Sequence, residues 1–130
     1  MARGPSATGG RVRTALRSVL ASRAEIEASE ERRQAQRSGC AAVKDLQDRC
    51  EAELFGVLRS VTLRPQQNVP ALEAELFDGT GTVSVVWLGQ RRIAGVEPGR
   101  RLRLQGRVSM QGGRPLIYNP RYELAPREGE

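Results

Sequence analysis

Between Arg101 and Met110 the chain alternates without a break. Leu102, Leu104, Gly106, Val108 and Met110 fall on one parity, and Arg101, Arg103, Gln105, Arg107 and Ser109 on the other. A period of two is the period of a strand, so this segment has one apolar face and one strongly basic face. Such a strand must cover its apolar face, either against a second layer or by closing its own sheet. Gln111-Gly112-Gly113-Arg114 reads as the hairpin turn that follows it. Pro115 to Leu124 reads as the last strand, with Pro120 favouring an edge or a bulge.

The residues upstream supply partners. Phe55-Gly56-Val57-Leu58 and Val61-Thr62-Leu63 form one long apolar, β-branched stretch, and the glycine inside it predicts a sharp bend or bulge. Pro65 to Pro70 breaks the run. Leu72, Ala74 and Leu76 then alternate with Glu73, Glu75 and Phe77. Asp78-Gly79-Thr80-Gly81 is a turn signal, and Thr82 to Leu88 is a β-rich run. Gly89 to Gly99 is a connector with room for one helical turn around Arg91-Arg92-Ile93-Ala94, ended by Pro98-Gly99. Five strands in a short span suit a small closed Greek-key barrel, since closure removes the sheet edges.

Before the barrel the chain is different. Residues 1–10, rich in small and polar types, read as a disordered tail. Residues 11–48 read as a helical arm. Val12, Leu16, Val19, Leu20 and Ile26 recur at helical spacing, and the stretch from Glu27 to Arg37 is made of good helix formers with few apolar residues. The arm is therefore expected to be amphipathic early and solvated late, with a stop at Ser38-Gly39 and a short helical or loop segment from Ala41 to about Asp48. The barrel is assigned to 49–125 and a polar tail to 126–130.

Composition removes most enzyme classes. The 130 residues contain no histidine, so there is no imidazole base and no histidine-ligated metal. Cys40 and Cys50 cannot complete a thiolate zinc site, and their spacing is not that of a redox motif. Glu73 and Glu75 sit on an open strand face with nothing to separate their pKa values. The Gly-x-Gly of Asp78 to Gly81 lacks the lysine and helix of a phosphate loop and reads as a hairpin turn. No apolar run approaches a membrane span, and no secretory signal is evident. The expectation is a cytoplasmic, bacterial, non-enzymatic chain with no cofactor, its cysteines reduced.

Several motifs together resemble a known fold. These are the long first strand with Gly56, the acidic-glycine hairpin Phe77-Asp78-Gly79-Thr80-Gly81, and the Pro98-Gly99 step into an alternating strand. The segment from about Glu51 to Leu124 resembles the OB-fold of the anticodon-binding type, a superfamily that includes anticodon domains of aminoacyl-tRNA synthetases and wedge domains of branch-migration helicases. Ala74 to Thr80, Val86 to Ile93 and Ile117-Tyr118-Asn119-Pro120 resemble the small stand-alone OB-fold proteins of actinobacteria. The resemblance implies a mainly β chain: a five-stranded Greek-key OB-fold barrel, here with an N-terminal helical arm. It also implies nucleic acid as the partner.

Charge distribution narrows the candidate surface. The net charge is +6, yet residues 51–90 are acidic while the stretch from Arg91 to Arg114 holds seven arginines and one acid. Arg101, Arg103 and Arg107 should share one strand face. The candidate interface is Arg59, Arg64, Arg91, Arg92, Arg101, Arg103, Arg107 and Arg114, with Phe77 and Tyr118 as stacking surfaces. Tyr118 and Tyr122, four apart on one expected strand, should share a face. The outer face of the second and third strands, the usual ligand face of OB-folds, carries Glu73 and Glu75, which would repel phosphate. The function expected is binding of single-stranded DNA or RNA, mainly electrostatic and with aromatic stacking. The alternative is an adaptor in which the barrel is a scaffold and the N-terminal helix docks a protein.

Overall fold

The computed structural model describes the backbone of residues 3–37 and 39–127, and the side chains of 20–37 and 39–127. The strands are β1 (Glu51–Leu63), β2 (Ala71–Phe77), β3 (Thr82–Leu88), β4 (Arg101–Gln111), β5 (Arg114–Tyr118) and β6 (Arg121–Leu124). They follow a helix, α1 (Arg3–Arg37), and a 3-10 turn at Val43–Asp45. The sheet runs β1-β2-β3-β5-β4-β6, and an additional β1–β4 pairing closes it. All pairs are antiparallel except β3 with β5. This is a mainly β chain with a closed five-stranded OB-fold barrel and a helical arm.

Closure depends on β1. Its first half pairs with β4, from Glu51 opposite Arg107 to Val57 opposite Arg101. Its second half pairs with β2, from Val57 opposite Phe77 to Leu63 opposite Leu72. The strand changes partner at Gly56–Val57, where a side chain on Gly56 would run into the Phe77 carbonyl. The register then slips by one between Leu58 and Ser60, leaving Arg59 as the extra residue of a bulge. The bend expected at Gly56 is therefore the corner of the barrel. Pro65 and Pro70 flank a tight pair in which Gln66 and Val69 bond each other's backbone across Gln67-Asn68.

The interior is filled from β1 to β5, with Leu124 of β6 packed against it. Leu54, Leu58, Leu76, Val83, Val85, Leu102, Leu104, Val108 and Ile117 are fully enclosed, and Trp87 packs with them. Burying each of the aliphatic side chains contributes roughly 1.5–3 kcal/mol. On β2 and β4 these positions, Leu76, Leu102, Leu104 and Val108, are the apolar parity of the alternation read from the sequence.

Four expectations are corrected. The last strand is two strands. Ile117 lies opposite Val108 but Tyr122 opposite Leu104, so one extra residue sits between them, at the Asn119-Pro120 step. Asn119 has φ 49 and gives its N–H to the Val86 carbonyl at 2.7 Å, while its side-chain oxygen accepts from Leu88 N–H at 2.9 Å. The connector holds turns rather than a helical turn. Gly95 and Gly99 take positive φ, and bonds from Val96 to Ile93 and from Arg100 to Glu97 close two turns. The late part of the arm is not fully solvated: Glu31 is 6% exposed and Ala35 is buried. The stretch 1–10 read as a tail is helical from Arg3. The side chains of 1–19, and with them Val12, Leu16 and Val19, lie outside the described residues, as do 128–130.

Candidate nucleic-acid interface

The docking of α1 decides which arginines are free. Asp78, fully enclosed in the β2–β3 turn, accepts from Thr80 N–H at 2.8 Å, the Thr80 hydroxyl at 2.7 Å and Gly81 N–H at 3.1 Å. Its second oxygen accepts from Val43 N–H at 2.8 Å, so the 3-10 turn is tied to the hairpin. Gly79, at φ 92, lies beneath the helix, where an added side chain would strike the Ala28 carbonyl. Glu31 then meets Arg101, whose NH2 reaches one carboxylate oxygen at 2.6 Å and whose Nε lies 3.2 and 3.3 Å from the two oxygens. Arg101 is thus held by the arm.

The rest of the β4 arginine row faces an acidic row on β1. Arg101, Arg103 and Arg107 do share the outward face, as the alternation requires. Arg103 donates to Glu53 at 2.8 Å, and this hydrogen bond raises its pKa further above its ordinary value. Arg107 lies across the ladder from Glu51 and is exposed. Arg64 pairs with Glu73 at 3.4 Å, which neutralises part of the acidic β2 face. Arg91, Arg92 and Arg114 are exposed in the connector and at the base of the β4–β5 turn.

The aromatic candidates separate. Arg59 holds its guanidinium 3.7 Å from the centroid of Phe77, a cation–π contact that covers one face of that ring. Tyr118 points outward on β5 and is 41% exposed. Tyr122 lies opposite the inward residue Leu104 and meets Trp87 edge-on, with centroids 5.8 Å apart. The two tyrosines therefore do not share a face, because the extra residue at Asn119-Pro120 reverses the parity. The indole N–H of Trp87 donates to the Pro120 carbonyl at 3.4 Å.

Two arginines that sequence reasoning left out stand beside Tyr118 and Arg107. Arg49 and Arg121 line the two open hollows that adjoin those residues. Arg49 precedes β1 and lies far from β4 in sequence. A backbone bond from its N–H to the Val108 carbonyl at 2.8 Å brings it there. Only the pairing of β1 with β4 could have signalled it.

No family model and no curated protein sequence matches the chain. Among solved structures, the chain is similar to RecG, in a structure of RecG bound to a three-way DNA junction. The TM-score is 0.52 with 28% identity, covering 65% of this chain and 12% of the RecG chain. The chain thus corresponds to a small part of that protein. No helix among the described residues is long and apolar enough to cross a membrane.

Proposed function

We propose that this chain is a non-catalytic, cytoplasmic nucleic-acid-binding protein that works through its OB barrel and prefers single strands to duplex. The observation that carries the reading is the 28% identity, over 65% of the chain, to a protein solved on branched DNA. The exposed arginines around β4 and β5 support it, as does the resemblance to the small OB-fold proteins of actinobacteria and to anticodon-type OB domains. Stacking would add to phosphate contacts, as it does where OB-folds hold single strands. The test is fluorescence anisotropy of labelled single strands, duplex and three-way junction against the full chain over graded salt. Single strands should bind more tightly than duplex, with log affinity falling linearly in log salt. No binding at low salt to DNA or RNA of any of these forms would sink the reading.

A second reading has its own observation. Leu20 is 63% exposed and Ile26 58% exposed on α1, beyond the part that meets the barrel. An adaptor would use that stretch to dock a protein. Removing residues 1–39 would also strip Glu31 and Ala35 from the barrel, so the discriminating truncation ends at Ser22. An adaptor should lose its protein partner on that truncation, whereas a barrel-based binder should keep most of its nucleic-acid affinity.

A further inference from the structure

We propose that the surface where β4 and β5 meet the segment before β1 is a subsite for one nucleotide of a single strand. Tyr118 stacks on the base, and Arg49, Arg107 and Arg121 hold the neighbouring phosphates. This subsite rests on the nucleic-acid reading above and gives it an address on the barrel, away from the β2–β3 face.

Two hollows of about 490 and 310 Å³ adjoin there, and Arg107 and Tyr118 line both. The first also takes in Arg49 and Ser109, the second Asn119 and Arg121. Arg121 lies opposite Gln105, one outward position along β4 from Arg107, so both arginines stand on the outward face and line the second hollow together with Tyr118. An outward aromatic ring with cations on its sides is what an unstacked base with its two phosphates requires. A duplex keeps its bases stacked on one another and offers the ring nothing.

Backbone geometry fixes the rim. Arg49 at φ 65 and Asn119 at φ 49 occupy the left-handed region, which side-chain-bearing residues rarely adopt. Each is held there by its N–H, Arg49 to the Val108 carbonyl and Asn119 to the Val86 carbonyl. The acids at the site are Asp48 and Glu51. One oxygen of Asp48 accepts from Met110 N–H at 2.9 Å and the other lies 3.9 Å from Arg49. Glu51 lies across from Arg107. Three guanidiniums against two carboxylates leave a modest positive balance, so stacking carries a large share of the affinity.

The other rings are less suited. Arg59 covers one face of Phe77, and Tyr122, though as exposed as Tyr118, is already in edge contact with Trp87. The β2–β3 outer face offers Glu73 and Glu75 to a phosphate.

The test uses the full chain with labelled oligo-dT and oligo-U of about 15 nucleotides, the upper span of one OB-fold site. Tyr118→Ala should weaken binding by about 5- to 150-fold, the range for loss of one stacked base. Tyr118→Phe keeps the ring and should retain affinity. Arg107→Ala should make the salt slope shallower by about 0.7, one phosphate contact of a single strand. Phe77→Ala should leave affinity unchanged. If the wild type binds while Tyr118→Ala and Arg107→Ala both match it, the subsite is overturned and the broader reading stands. If the wild type binds neither oligonucleotide at low salt, the subsite falls, and the broader reading falls with it only if duplex and three-way junction also fail to bind. Dependence on Tyr118 with only one of the two strands supports the subsite and assigns its sugar.

Discussion

Asp78 shows how one side chain can join two segments distant in sequence. Its two oxygens accept four hydrogen bonds, from the hairpin it belongs to and from Val43, 35 residues away. Asp78→Ala would orphan these donors in an enclosed site, each at about 1–3 kcal/mol where no water replaces the oxygen. The expected result is a loss of at least about 3 kcal/mol in urea unfolding. Asp78→Asn should also destabilise, because whichever way the amide turns, its NH2 faces a donor. A variant within about 0.5 kcal/mol of wild type, the range of ordinary surface changes, would show that the tie is dispensable. The turn itself was legible in Asp78-Gly79-Thr80-Gly81; the reach to Val43 was not, since spacing along the chain says nothing of what a carboxylate meets from another segment. Cys40 offers a pH-dependent check at the same scale. Burial pushes its thiol pKa up, only partly offset by the Arg103 guanidinium, and Glu53 adds to the rise. A thiolate is the reactive form. In a Cys50→Ser background, alkylation of Cys40 by iodoacetamide should therefore accelerate only above the ordinary thiol range near pH ~8.5. An inflection at or below that pH would contradict the burial.

At the scale of elements, the arm and the last strand carry the lesson. Helical spacing placed the apolar residues of α1 early, yet the described contacts with the barrel are made late, by Ala28, Glu31 and Ala35. Small residues allow close approach, and one carboxylate finds a guanidinium, so a docking face need not be an apolar stripe. Tertiary partners decide this, and the arm's own periodicity does not contain them. Glu31→Ala leaves Arg101 without its fork, a loss of about 1.5–3 kcal/mol by the usual value of charged hydrogen bonds. That is an upper range here, since Arg101 is partly open to water. Gly79→Ala forces a side chain against the helix backbone at a positive φ. Both variants should release the arm while the barrel stays closed. Limited proteolysis should then cut between Glu25 and Arg37 at rates well above wild type, with Trp87 fluorescence unchanged. A resistant arm in both variants would show that other contacts hold it. In the last strand, Pro120 did signal a bulge. What the signal lacked was the consequence, that a single extra residue puts Tyr118 and Tyr122 on opposite parities, Tyr122 reaching Trp87 while both stay exposed.

For the whole molecule, charge was the feature most readily seen and most altered by folding. The closed barrel was legible because alternation, turn residues and strand lengths agreed with one another. The arginine row on β4 was also legible as a row. Its neighbours were not, because β1 reaches β4 from about 50 residues upstream and lays Glu51 and Glu53 beside it. Two of the three arginines expected to form a track are engaged, Arg101 by Glu31 and Arg103 by Glu53. This changes the salt dependence that nucleic-acid binding should show. If all seven arginines from Arg91 to Arg114 met phosphates, the slope of log affinity against log salt for a single strand would be about −5, at roughly 0.7 per phosphate. If Arg49, Arg107 and Arg121 alone do so, it should be about −2. Replacing Arg101 would test the wrong thing, since it frees the arm. Arg103→Gln is the cleaner comparison, because it removes a guanidinium already paired with a carboxylate. It should leave the slope near the wild-type value, whereas Arg121→Ala should make it shallower. A wild-type slope near −5, with a clear change in Arg103→Gln, would mean that nucleic acid displaces Glu53 and that the paired row is itself the binding track.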